Sequence, residues 1–161
     1  MMDANFEAEP ARGFGYGEHL LVWSWRRIAA GRGGCPLIAR EFAEICGEDA
    51  AEVVATLDTF LRALAFAGRR AFVFGPPGSL TVTADERQIL ELIAAAQAGR
   101  PALFEAHLQW LARPDRRPVL QITAGALATA LKVNDLHLTV PEVPAPVACR
   151  RPLAVVPFFD A

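Results

Sequence analysis

The chain has 161 residues, of which 53% are hydrophobic and 21% are charged, and its formal net charge is −2. This length is typical of one domain with a single core, and the composition excludes a disordered chain. The net charge excludes a strong positive field that would attract nucleic acid or an anionic membrane. Because so much of the sequence is apolar, we expect a partner to cover part of the surface, most simply a second copy of the chain.

The first residues and the cysteines indicate where the protein resides. Residues 1–17 lack the apolar core of a signal peptide and end in a glycine-rich stretch, so they predict a flexible lead-in. No apolar run reaches the roughly 20 residues that a membrane span requires. Three widely spaced cysteines favour reduced thiols over a disulfide framework. The sequence therefore predicts a cytoplasmic protein.

Helical periodicity predicts three helices in the first half of the chain, over about 18–30, 36–47 and 49–68. Proline is favoured at the first position of a helix and glycine just past its end, which is where Pro36 and Gly47 stand in the second helix. Asp49 and Glu52 are three residues apart and predict a capping box at the start of the third helix.

The segment after the third helix predicts a β-hairpin over residues 71–83, with strands at 71–74 and 80–83 around a Gly-Pro-Pro-Gly-Ser turn. Thr83 and Glu86 then predict a capped fourth helix that runs to about residue 98. The order of these elements resembles that of a winged-helix domain. A DNA reader needs cations for the phosphates, whereas the outward face of the third helix carries Arg62 beside the carboxylates of Glu52 and Asp58. We therefore expect nucleic acid not to be the partner, and keep a DNA-binding winged helix as an alternative.

Two more helices are predicted, over 101–111 and 118–131, and the second of these contains no charged residue. Its inner face is predicted to be apolar and its opposite face mostly small. A helix without charge is typical of the centre of a core or of a subunit contact. The candidate dimer contacts on this helix are Gln121, Ile122, Gly125, Ala128 and Thr129.

Residues 132–161 form a proline-punctuated tail that is too apolar to remain solvated. We expect this tail to lie extended over a surface, either its own or that of a neighbouring subunit.

The first helix carries the most suggestive surface. His19, Trp23 and Arg26 share one face at i, i+4 and i+7, with Arg27 beside them. Tryptophan and arginine are enriched at interaction hot spots, so these four residues predict an interaction face. The alternative is that Trp23 packs under the tail of its own domain.

The sequence nominates no catalytic group and no cofactor. Cys35 begins the second helix, where the helix dipole can lower a thiol pKa, so it is a candidate reactive thiol. The alternative is that Cys35 is simply a small residue before a proline. No metal-ligand motif occurs, and a metal site would require the fold to bring together His19, Cys35 and Cys46.

Together these patterns predict a single, mostly α domain of about six helices with one short β-hairpin and a winged-helix-like element order in its N-terminal half. The predicted function is a non-enzymatic protein-interaction or regulatory module that acts as a homodimer. The alternatives are a winged-helix transcription regulator that binds DNA, and a thiol-based redox sensor or enzyme that uses Cys35.

Overall fold

The computed structural model describes residues 9–10 and 13–139, and these residues are mostly helical, as predicted. A π-helical turn, Ile28–Arg32, follows the first helix, and a 3-10 turn, Gly47–Asp49, joins the second to the third. The α-helices are α1 (Tyr16–Arg27), α2 (Pro36–Cys46), α3 (Ala50–Ala67), α4 (Ala84–Gln97), α5 (Pro101–Leu111) and α6 (Arg117–Val133).

The core lies where α3 packs against α2 and α6, and where α4 packs against α5 and α6. Each helix supplies apolar residues at the spacing of three and four that places them on one face. In α6 the buried residues include Leu120, Ala124, Leu127 and Leu131, the face that the sequence predicts. The largest fully buried side chains are those of Trp25, Phe42 and Phe60.

One predicted capping box forms and the other does not. The Glu86 backbone N–H donates to Thr83 Oγ1 at 3.1 Å, and the Thr83 N–H donates to Glu86 Oε2 at 2.9 Å, so α4 begins as predicted. Asp49 makes no capping hydrogen bond, because it lies in the 3-10 turn with helical backbone angles. A capping side chain requires the extended backbone that Thr83 has.

The predicted hairpin over residues 71–83 does not form. Residues 71–76 are irregular, and the strand β2 (Thr81–Val82) instead pairs antiparallel with the strand β1 (Glu9–Pro10). The reason lies in the two carboxylates that open α4. Asp85 accepts a hydrogen bond from the Val73 N–H at 2.7 Å, and Glu86 accepts one from the Gly75 N–H at 3.0 Å. These N–H groups are therefore engaged by side chains and not by a neighbouring strand.

Residues 9–10 of the predicted lead-in form β1, and residues 1–8 and 11–12 lie outside the described residues.

After α6 the chain returns to the start of α1. Leu136 and Leu138 are buried against the core, and Gln97 holds this segment by donating to the Leu136 carbonyl and accepting from the Leu138 N–H, both at 2.9 Å. The Thr139 N–H then donates to Glu18 Oε1. The rest of the predicted tail, residues 140–161, lies outside the described residues.

Within the described part of the chain, none of the helices combines the length and the apolar character that crossing a membrane would require.

Candidate functional site

A buried ion pair joins α1 to the start of α4. Arg26 is 4% exposed and Glu86 is fully buried. The guanidinium donates from Nε to Glu86 Oε1 at 2.6 Å and from Nη2 to Glu86 Oε2 at 2.7 Å, which is the two-pronged geometry that fits arginine to a carboxylate. The sequence places these residues sixty positions apart, so no local pattern connects them.

The same guanidinium organises the α3–α4 loop, residues 68–83. Arg26 donates from Nη1 to the Ser79 carbonyl at 2.8 Å and from Nη2 to the Thr81 carbonyl at 2.6 Å. The loop passes so close that a Cβ on Gly75 would lie 2.6 Å from Arg26 Nη2, and only glycine leaves room there. The turn that resembles a wing in sequence is therefore wrapped around a buried cation.

A second ion pair stands next to the first. Arg70 donates from Nη2 to Asp85 Oδ1 at 2.6 Å and from Nη1 to Asp85 Oδ2 at 2.9 Å. Burial raises the pKa of both carboxyls, but the hydrogen bonds from Arg70 and the Val73 N–H to Asp85, and from Arg26 and the Thr83 N–H to Glu86, outweigh it. The pKa of each carboxyl therefore lies below its ordinary value, so both are ionised at neutral pH. Because hydrogen bonds already occupy these carboxylates, the cluster serves the architecture of the loop.

Arg26 differs from the other three residues of the predicted interaction face. It is almost entirely buried in the ion pair, which corrects its predicted position at the surface. His19 is exposed, and Trp23 and Arg27 are half-buried, with Arg27 Cζ 5.0 Å from the centroid of the Trp23 ring. This is the stacked arrangement of a cation on an indole.

Beside these residues lies a groove of about 460 Å³ between α1, α2 and the α3–α4 loop. Its loop side carries Leu80, which is 86% exposed. We call this the aromatic groove and define it by Tyr16, His19, Trp23, Pro77 and Leu80.

Cys35 lies at the far end of α1 from Tyr16, at the cap position of α2. Arg27 donates from Nη2 to Cys35 Sγ at 3.4 Å. This hydrogen bond, followed by that from the Leu37 backbone N–H, lowers the pKa of the Cys35 thiol, whereas burial raises the pKa of Cys46. Both are free thiols. The described residues hold no group of three or more histidine, cysteine, aspartate or glutamate side chains that could bind a metal.

The predicted dimer contacts on α6 divide between two sides of the helix. Gln121, Ile122 and Thr129 are exposed and Gly125 is half-buried. Ala128 is only 3% exposed, because it belongs to the core, so its predicted place at the surface is wrong.

An exposed, mostly apolar line of residues does run along α6. Its centre is about a quarter turn round the helix from the centre of the predicted dimer contacts, and the two sets share Ile122 and Thr129. We call it the α6 stripe, and its five exposed residues are spaced alternately by three and four: Val119, Ile122, Ala126, Thr129 and Val133. A groove of about 320 Å³ lies next to it, between Ile122 and Ala126 of α6 and Thr56 and Thr59 of α3. Periodicity alone does not identify Val119, Ala126 and Val133, because on an uncharged helix the outward side is set by its neighbours.

A further apolar groove, of about 560 Å³, lies between α3, the end of α1 and residues 70–74. Leu61, Phe72 and Phe74 are among the residues that line it. The sequence gives no sign of it, since one wall is the irregular segment that was predicted to be a strand.

Three arginines on and just after the predicted recognition helix are engaged, two in ion pairs and one with a backbone carbonyl. Arg62 Nε lies 2.7 Å from Asp58 Oδ2 on the outward face of α3. Arg70 is paired with Asp85, and Arg69 donates to the Gln109 carbonyl at 3.0 Å. Each ion pair reduces the positive potential that a phosphate backbone would meet.

Comparison with models of protein families gave no match to this chain, and neither a curated protein nor a solved structure matches it.

Proposed function

We propose that the chain is a non-enzymatic protein-interaction or regulatory module of the cytoplasm that acts as a homodimer through the α6 stripe. The observation that carries this proposal is the exposure of large apolar side chains along a helix whose residues 118–131 include no charge. Ile122 is 72% exposed, Val133 is 70% exposed and Val119 is 43% exposed.

The spacing of the stripe suits pairing with a second copy of α6. Alternation of three and four residues is the seam by which two helices pack side by side. The small side chains of Ala126 and Thr129 allow the two helix axes to approach to about 8–10 Å. Burying a valine or isoleucine contributes about 1.5–3 kcal/mol. Three such residues from each copy together contribute a free energy comparable to the cost of association, which is about 4–15 kcal/mol.

Sedimentation of the full chain at micromolar concentration tests this proposal. We expect a dimer, and we expect Ile122→Arg to convert it to a monomer, because the contact would bury an unpaired charge. Trp110→Arg is the matched control, since Trp110 is 68% exposed on α5, outside the stripe. A wild-type monomer, or a dimer that both variants leave intact, would refute the contact at the stripe.

A second candidate function is a thiol-based sensor at Cys35. The observation in its favour is the Arg27 guanidinium 3.4 Å from Cys35 Sγ at the N-terminus of α2, since a neighbouring cation and the first-turn amides both favour the thiolate.

The rate at which the thiol reacts with iodoacetamide across pH tests this candidate. We expect Cys35 to reach half of its maximal rate at a lower pH than an unfolded peptide of the same sequence, and Arg27→Gln to move that midpoint upward. Cys46 is the internal control, because it is buried and should react slowly. An identical midpoint in the protein and in the peptide would remove Cys35 from consideration as a sensor.

A further inference from the structure

A groove of about 570 Å³ between the α3–α4 loop, the end of α5 and the start of α6 combines arginines with an exposed aromatic ring. We call it the cationic groove and define it by Arg69, Arg70, Phe72, Trp110 and Arg117. Its volume lies within the range of about 300–1,000 Å³ that is usual for ligand sites. The residues come from three separate parts of the sequence, so no local pattern connects them.

Hydrogen bonds between the loop and the end of α5 hold the walls of this groove in place. Gly68 and Ala112 form an isolated antiparallel bridge, beside which the Arg69 N–H donates to the Leu111 carbonyl at 3.1 Å. The side chain of Arg69 is held as well, since its Nε donates to the Gln109 carbonyl at 3.0 Å. Groups that are ordered before a ligand arrives lose less entropy when the ligand binds.

The groove keeps hydrogen-bond donors for a ligand. Arg69 and Arg117 each donate from Nε to a backbone carbonyl, at 3.0 Å and 3.4 Å. Among the described residues, neither guanidinium has a partner for its two Nη groups, and neither is paired with a carboxylate. The third guanidinium, that of Arg70, is balanced by Asp85. The groove therefore presents two uncompensated positive charges beside Trp110, which is 68% exposed.

The carboxylates that flank the groove favour an acidic peptide over a phosphate backbone. On α5, Gln109 Nε2 donates to Glu105 Oε1 at 3.0 Å, and in the α5–α6 turn Asp115 Oδ2 lies 3.6 Å from Arg116 Nε. A nucleic-acid strand carries a negative charge at every nucleotide, so it would meet these carboxylates where it leaves the groove. A peptide carries its charges only where its sequence places them, and its apolar side chains can pack on Trp110.

We propose that the cationic groove binds an acidic peptide segment of a partner protein, in which carboxylates flank an aromatic or aliphatic side chain. A guanidinium fits a carboxylate with two parallel hydrogen bonds, which Arg69 and Arg117 have the Nη donors to make. Tryptophan and arginine are also the residues that dominate binding at protein interfaces. The proposal is independent of the dimer, since the cationic groove and the α6 stripe share no residue.

Selection from a library of short random peptides tests this proposal. The full chain is immobilised and incubated with the library, and the retained peptides are sequenced. We expect aspartate and glutamate to be enriched beside an aromatic or aliphatic residue, and this enrichment to disappear in the double variant Arg69→Gln, Arg117→Gln. Arg40→Gln is the matched control, since Arg40 is 64% exposed on α2, outside the groove. No acidic enrichment with the wild-type chain, or the same enrichment with the double variant, would overturn the proposal.

Fluorescence anisotropy of the most enriched peptide, labelled with fluorescein, then locates its site. We expect Trp110→Gln to raise the Kd about tenfold or more, as for the loss of a hot-spot tryptophan. An unchanged Kd in this variant would place the peptide elsewhere and overturn the proposal. A single-stranded oligonucleotide that displaces the peptide and binds more tightly would identify a phosphate site instead. Repeating the titration in Ile122→Arg separates this proposal from the dimer, because peptide binding should persist whether or not the dimer forms.

Discussion

Arg26 connects the first helix to the loop that precedes α4, and it does so from inside the protein. Arginine stays charged at any relevant pH and presents its donors as a rigid fork. Here the fork meets the two oxygens of Glu86 and the carbonyls of Ser79 and Thr81. Pairing and hydrogen bonds of this kind offset the cost of burying a charge. A sequence pattern that counts arginine as a surface residue therefore gives it the wrong position.

Removing the guanidinium should destabilise the fold strongly. We expect Arg26→Met to lower the free energy of unfolding by about 3–5 kcal/mol, because Glu86 would remain buried and unpaired. Arg62→Met is the matched control, since Arg62 is 81% exposed in its ion pair with Asp58 and exposed pairs contribute about 0–1 kcal/mol. Urea unfolding followed by circular dichroism measures both. Equal losses in the two variants would contradict the structural role of Arg26.

At the scale of elements, the α3–α4 loop shows how far local sequence specifies structure. The capping box of Thr83 and Glu86 is predictable because its two residues are three positions apart. The absence of the hairpin is not predictable in this way. The N–H groups of Val73 and Gly75, which a second strand would need, donate instead to carboxylates at the start of α4. Local strand preference is weak against such hydrogen bonds.

The helices follow the same rule. The inner face of α6 is predictable from the spacing of its leucines, and it is buried as predicted. The outer contact surface is harder to predict, because residues 118–131 include no charged side chain to mark the side that faces solvent. Ala128 and Val119 are both small or medium apolar residues, yet the first is 3% exposed and the second 43% exposed in the folded chain. The aromatic groove is equally hidden, since its two walls come from α1 and from a loop more than fifty residues later.

At the scale of the whole molecule, the two lowered carboxyl pKa values make stability depend on pH. The pKa values of unfolded aspartate and glutamate are about 3.9 and about 4.3. In the folded chain the pKa values of Asp85 and Glu86 lie below their ordinary values. The folded state therefore binds fewer protons in acid than the unfolded state. This contribution is fully present above the unfolded pKa values and is lost as the pH falls through the folded ones.

Urea unfolding at a series of pH values from 7 to below 4 measures this contribution. We expect the wild-type chain to lose stability steeply below about pH 4, and Glu86→Gln to be less stable at pH 7 but to show a shallower fall in acid. Glu44→Gln is the control, because its carboxyl is 67% exposed. The same slope in wild type and in Glu86→Gln would show that the Glu86 carboxyl does not titrate differently in the two states.

The contact between Thr139 and Glu18 also has a consequence for how the protein is made. It joins residues 121 positions apart, and Leu136 and Leu138 complete the core on the way to it. A ribosome synthesises the chain from its N-terminus, so α1 emerges long before the segment that covers its first turn. The cover over the first turn of α1, where Glu18 is fully buried in the finished protein, can therefore form only after almost all of the described chain has left the exit tunnel.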